Sequence, residues 1–158
     1  QGLSMPHSPR WHAGRLWICE SGKGLLSTVD PATGQMTTVA ELPGFTRGLD
    51  FAGPYAFVGL SQIRESAAFS GIPIVERAAE RNCGVWVVDT RTGQNVGALR
   101  FTQGVQEIFS VQLLHGIRCP ALLDKHHKVA LETYFLPSET LRDVRTTPPT
   151  ATQHVGKV

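Results

Sequence analysis

The stretch Val85-Trp-Val-Val-Asp89-Thr-Arg-Thr-Gly93 decides the fold. Its apolar and β-branched residues suit a pleated, buried strand. They run into an Asp-x-x-Thr-Gly turn. Asp at the start of a turn accepts backbone N–H groups, and Gly at its end takes a positive φ without strain. The same arrangement stands earlier, where Leu25-Leu-Ser-Thr-Val29 leads into Asp30-Pro-Ala-Thr-Gly34. A strand-and-turn unit that recurs is the mark of a repeat architecture. Asp30 and Asp89 therefore read as turn formers rather than catalytic acids.

Working outward from these turns gives two units of the same order. In the first, Trp11-His-Ala-Gly-Arg-Leu-Trp-Ile-Cys19 reads as strand, turn and strand. Ser21-Gly-Lys-Gly24 makes a second turn, Leu25–Val29 the third strand and Met36–Leu42 the fourth. In the second, Arg47–Phe51, Tyr55–Leu60, Gly84–Asp89 and Gln94–Phe101 follow the same order. The two turn aspartates lie 59 residues apart (89 − 30), whereas a four-stranded propeller blade takes roughly 40–45 residues. The excess is assigned to an insertion over residues 61–82. Pro73 opens a short helix there, with Ile74, Val75, Ala78 and Ala79 on one apolar stripe. A third unit starts at Glu107-Ile-Phe-Ser-Val-Gln112 and weakens after Leu123; Ala130–Leu136 reads as its last strand.

The expected fold class is therefore all-β and β-propeller-like. It comprises two blades and a partial third, each an antiparallel four-stranded sheet, with a short helical insertion. The blades run over about 3–44, 45–104 and 105–144, and residues 145–158 read as a disordered tail. Closed propellers use 4–8 blades, so two and a fraction leave the ring incomplete. The chain opens at Gln1 rather than Met, and the expectation is that N-terminal blades precede it, or that copies self-associate.

Composition narrows the partners. A net charge of +2 with no dense Lys/Arg cluster gives no footprint for nucleic acid. The longest apolar runs, such as Cys83–Val88, are strand length and far short of a membrane span. Cys19, Cys83 and Cys119 are an odd, sparse set without metal-ligand spacing. They read as buried free thiols in the cytoplasm. No phosphate loop, dinucleotide fingerprint, zinc-protease helix or calcium loop occurs, so no cofactor and no metal are expected. Ser8 and Ser61 lack the setting of a hydrolase nucleophile.

Several motifs in order resemble one family. They are Gly2-Leu-Ser-Met-Pro-His-Ser-Pro-Arg-Trp-His12, Leu42-Pro-Gly-Phe-Thr-Arg-Gly-Leu49, Phe57-Val-Gly-Leu-Ser-Gln-Ile-Arg-Glu65, Cys83-Gly-Val-Trp-Val-Val-Asp89 and Gly104-Val-Gln-Glu-Ile-Phe109. Together they resemble the DUF4915 group of bacterial proteins, whose activity is unassigned, over about Gly2 to Arg118. The resemblance implies the C-terminal part of a longer propeller-like protein and implies no activity. The segment Asp124-Lys-His-His-Lys128 lies outside it; adjacent histidines in a strand face opposite sides and do not chelate one metal together.

In a propeller the first strand of each blade lines the central channel. The entry positions of the three units are His7, Arg47 and Glu107, all ionisable. Arg forks a carboxylate or phosphate, and His accepts or donates a proton near neutral pH. The competing explanation is an Arg47–Glu107 ion pair between blades. Arg64 and Glu65 open the insertion, and loops on a rigid scaffold carry function disproportionately. The five residues define two functional readings. One is a binding module for a small anionic ligand or a protein partner. The other is a hydrolase, lyase or isomerase with His7 or Glu107 as base. A purely structural assembly module is the third alternative. Trp11, Trp17 and Trp86 read as packing between blades.

Overall fold

The computed structural model describes residues 2–62, 71–77, 82–121, 123, 124 and 126–129. The chain divides into two compact units, residues 1–115 and 116–158. Among the described residues the first unit has eight strands in two antiparallel sheets, each strand hydrogen-bonded to its sequence neighbours within its sheet. The first sheet is β1 (Pro6–His12), β2 (Arg15–Glu20), β3 (Leu25–Val29) and β4 (Met36–Glu41). The second is β5 (Phe45–Ala52), β6 (Tyr55–Ser61), β7 (Gly84–Asp89) and β8 (Asn95–Arg100). These are the two propeller-like blades that the repeat predicts. In the second unit the described residues contain a turn: Asp124 accepts the amides of His126 at 2.7 Å and His127 at 3.1 Å. Both histidines are exposed.

The repeat is legible atom by atom at the Asp-x-x-Thr-Gly turns. Gly34 and Gly93 each donate their N–H to the carbonyl of the turn aspartate at 2.8 Å. Both glycines are left-handed, with φ of 72° and 74°. The carboxylates accept the amides two residues on, from Ala32 at 2.8 Å and Arg91 at 3.0 Å. Arg91 adds a fork onto Asp89, Nε to Oδ1 at 2.9 Å and Nη2 to Oδ2 at 2.6 Å. That side-chain bond and the Arg91 N–H pull the Asp89 carboxyl down to about 2.

The hairpin registers repeat as well. Pro6 pairs with Glu20 and Thr46 with Leu60; His12 pairs with Arg15 and Ala52 with Tyr55. Each partner lies 40 residues from its counterpart (46 − 6, 60 − 20). A constant offset of 40 makes His7 the counterpart of Arg47, Ser8 of Gly48, Trp11 of Phe51 and Ser21 of Ser61. Both first strands carry a bulge at the same place, between His7 and Arg10 and between Thr46 and Leu49. The longer 59-residue offset of the turns arises between the second and third strands. There the first blade has a 3₁₀ turn, Ser21–Lys23, and the second has its insertion. Helix α1 (Pro73–Arg77) lies in the insertion and packs against that 3₁₀ turn.

The core is the seam between the sheets. Trp17, Cys19, Leu26 and Ala40 of the first meet Leu49, Phe51, Ala56, Val58, Leu60, Trp86 and Val88 of the second. Fully burying one such large side chain stabilises the fold by about 1.5–3 kcal/mol. Trp17 and Trp86 pack as expected, but Trp11 does not. Its counterpart Phe51 is 7% exposed, wedged between the His12 ring at 4.2 Å and the Trp17 ring at 5.3 Å. Trp11 is 66% exposed, because among the described residues no blade stands in front of the first sheet as the first stands in front of the second.

The cysteines also divide. All three are free; Cys19 and Cys83 are buried and Cys119 is exposed. Burial pushes the Cys19 thiol up to about 12, against a hydrogen bond to Thr46 and the charge of Arg10. The described start of the third unit is an extended segment. Residues 105–114 form no ladder strand but lie along β5 and β6. Ala130–Leu136 and the tail fall outside the described residues.

Candidate functional site

The first strands β1 and β5 lie side by side, and the 105–113 segment follows on the other side of β5. Three serine hydroxyls fasten this edge with four hydrogen bonds. Ser21 Oγ donates to the carbonyl of Thr46. Its counterpart Ser61 donates to the carbonyl of Ile108 at 3.1 Å and accepts the Ile108 N–H at 2.9 Å. Ser8 Oγ accepts the Gly48 N–H at 2.9 Å. The Ser21 and Ser61 bonds make Ile108 the counterpart of Thr46. The residue after each is then Arg47 in the second unit and Phe109 in the third. Glu107 stands two residues before Phe109, so the equivalent positions run His7, Arg47 and Phe109.

The bulge explains why Ser8 matters. At this point the backbone is left-handed in both blades, φ 53° at Ser8 and 83° at Gly48. Gly adopts that conformation freely, and a residue with a Cβ does so at a cost of order 1–3 kcal/mol. Ser8 carries the strain and uses its hydroxyl to bond the neighbouring blade. Gly48 has no room for a side chain: a Cβ would lie 2.7 Å from the Val111 nitrogen.

Of the predicted residues, His7 lies near the start of β1, Arg47 near the start of β5, and Glu107 on the 105–113 segment. His7 is half-buried; its Nδ1 lies 3.0 Å from the Met5 carbonyl and 2.8 Å from Ser21 Oγ, and its ring meets Phe45 edge-on at 5.7 Å. Arg47 is half-buried, with its guanidinium carbon 4.4 Å above the Phe109 ring. That is cation–π geometry, and the Arg47–Glu107 ion pair weighed from the sequence is not among the ion pairs of the described residues. Glu107 is half-buried beside Cys83, where its charge adds to burial in raising that thiol. It lines an open groove of about 560 Å³ with Val85, Phe101, Ile108 and Val111. Asp50, further along β5, is raised by burial, but the amides of Leu113 (2.6 Å) and Phe51 (2.9 Å) outweigh this and hold it below the usual range. Arg64 and Glu65 lie outside the described residues. The helix of their insertion packs on the 3₁₀ turn that holds Ser21, the partner of His7.

Sequence reasoning missed Ser8, Ser21 and Phe109. The first two were legible in principle, because the 40-residue offset sets Ser8 against glycine and Ser21 against Ser61. Among the described residues no group of three or more His, Cys, Asp and Glu side chains is placed to hold a metal ion. No helix among them is long and apolar enough to cross a membrane.

Fold and edge define a protein of propeller-like blades, with cationic and aromatic groups at the start of its first strands. The chain belongs to the DUF4915 family, a domain of unknown function, whose model matches residues 1–123. A comparison with curated proteins finds no match.

Proposed function

We propose that this domain is a binding module for a small anionic molecule, held at the starting end of the β1–β5 edge with Arg47 as its anchor. The observation that carries this reading is the Arg47 guanidinium stacked 4.4 Å over Phe109. Stacking fixes the plane of the guanidinium while leaving its N–H edge free to fork a carboxylate or phosphate. His7, its counterpart on β1, stands on the neighbouring strand. Arg64 and Glu65, which open the insertion in the sequence, are further candidate contacts for the same ligand. Free thiols support a reducing compartment such as the cytoplasm.

The test is a titration of the chain with propionate and with inorganic phosphate, followed by amide shifts. Arg47→Ala is expected to weaken binding about 10–100-fold, the worth of a charge-assisted bond. Equal affinity of wild type and Arg47→Ala for both anions overturns the proposal.

A further inference from the structure

We infer that His7 is the proton-accepting half of this site, and that the anion it takes carries a hydroxyl beside its charged group, as a hydroxycarboxylate does. The inference rests on the anion reading above and deepens it. It stands on three hydrogen bonds. Ser21 Oγ donates its one hydrogen to the Thr46 carbonyl, which can only accept. Its hydroxyl is then left to accept from His7 Nδ1, 2.8 Å away. The second neighbour of Nδ1, at 3.0 Å, is the Met5 carbonyl, again an acceptor only. Two acceptors facing one ring nitrogen place the hydrogen on Nδ1. The neutral imidazole is therefore the Nδ1–H form, with its lone pair on Nε2.

Nε2 makes no hydrogen bond with the described residues, and the ring is half-buried and reaches solvent. A lone pair held in a fixed direction accepts a hydroxyl hydrogen and disfavours a bare carboxylate oxygen. Arg47 supplies the opposite preference one blade along. The two residues adjoin a single bridge, since Ser8 follows His7, Gly48 follows Arg47, and Ser8 Oγ accepts the Gly48 N–H. Ser21 also links His7 to the carbonyl immediately before Arg47. A hydroxyl next to an anionic group meets both demands at once.

Two measurements test this on the whole chain. The first needs no ligand: ring nitrogen shifts of neutral His7 are expected to report the Nδ1–H form. The Nε2–H form overturns the inference and leaves the Arg47 site standing. The second compares glycerate with propionate, which lacks its hydroxyls. Wild type is expected to bind glycerate about tenfold more tightly, the worth of one hydrogen bond of about 1.4 kcal/mol. His7→Asn keeps an N–H toward Met5 and Ser21 but removes Nε2, so it is expected to erase the preference for glycerate over propionate. No preference in wild type, or a preference that survives His7→Asn, overturns the inference. Failure of both anions to bind overturns it together with the site.

Discussion

Gly34 and Gly93 occupy the same position of the same turn with φ of 72° and 74°, yet their surroundings differ. A Cβ on Gly34 meets nothing within 4 Å, whereas one on Gly93 drives into the carbonyl oxygen of Val39 on the first blade. Gly34→Ala therefore meets only left-handed strain, expected to cost about 1 kcal/mol. Gly93→Ala adds a clash with backbone and is expected to cost about 2–4 kcal/mol. Urea unfolding of both variants checks the order, and equal midpoints contradict it. Asp30 and Asp89 show how far residue-level reading reaches. The pattern Asp-x-x-Thr-Gly dictates the backbone bonds of its aspartate and glycine, because their partners lie within five residues, whereas the Thr90 N–H goes to the Pro54 carbonyl at 2.9 Å. The fork of Arg91 onto Asp89 has no parallel at Asp30, where Ala32 stands in its place.

At the scale of elements, the hydroxyls that join one blade to the next carry the third segment. Ile108 N–H and C=O both meet Ser61 Oγ, and Leu113 N–H meets Asp50. Ser61→Ala leaves the half-buried Ile108 N–H without its partner, a cost of about 1 kcal/mol. Hydrogen exchange at Ile108 is expected to speed, while amides of the β2–β3 ladder keep their protection. Unchanged exchange at Ile108 contradicts this role. Legibility here was partial. The four strands of each blade were evident from alternation and turns, and the insertion from the difference between 40 and 59. The bulge was not, since it depends on φ values that a serine rarely adopts. Of the partial third unit, Glu107–Gln112 lies extended along its neighbour, and the strand expected over Ala130–Leu136 falls outside the described residues.

Over the whole of residues 1–115, burial follows from which sheet faces have a neighbour. Trp17 and Trp86 sit at 3% and 4% exposure in the seam, and Trp11 sits outside it at 66%. Iodide is expected to quench one tryptophan readily, and Trp11→Phe is expected to remove that quenchable fraction and change stability by less than about 0.5 kcal/mol. Trp86→Ala opens the seam and is expected to cost about 3–5 kcal/mol. A protected Trp11 in quenching contradicts the uncovered face. The site belongs to this scale too. His7, Arg47 and Glu107 were selected from sequence as ionisable residues at strand entries, and two of them proved equivalent by register.

The sequence by itself determined the all-β class, the two four-stranded blades, both Asp-x-x-Thr-Gly turns and the place of the insertion. Those features rest on local chemistry, in which turn residues and alternation act on partners a few positions away. Only the tertiary structure decided that Phe51 is buried and Trp11 is not, that Phe109 rather than Glu107 meets Arg47, and that His7 is oriented through Ser21. Each of these depends on which strand lies beside which, and on a bulge that shifts register by one residue. A one-residue shift turns a side chain to the other face of a sheet, and composition and spacing carry no record of it.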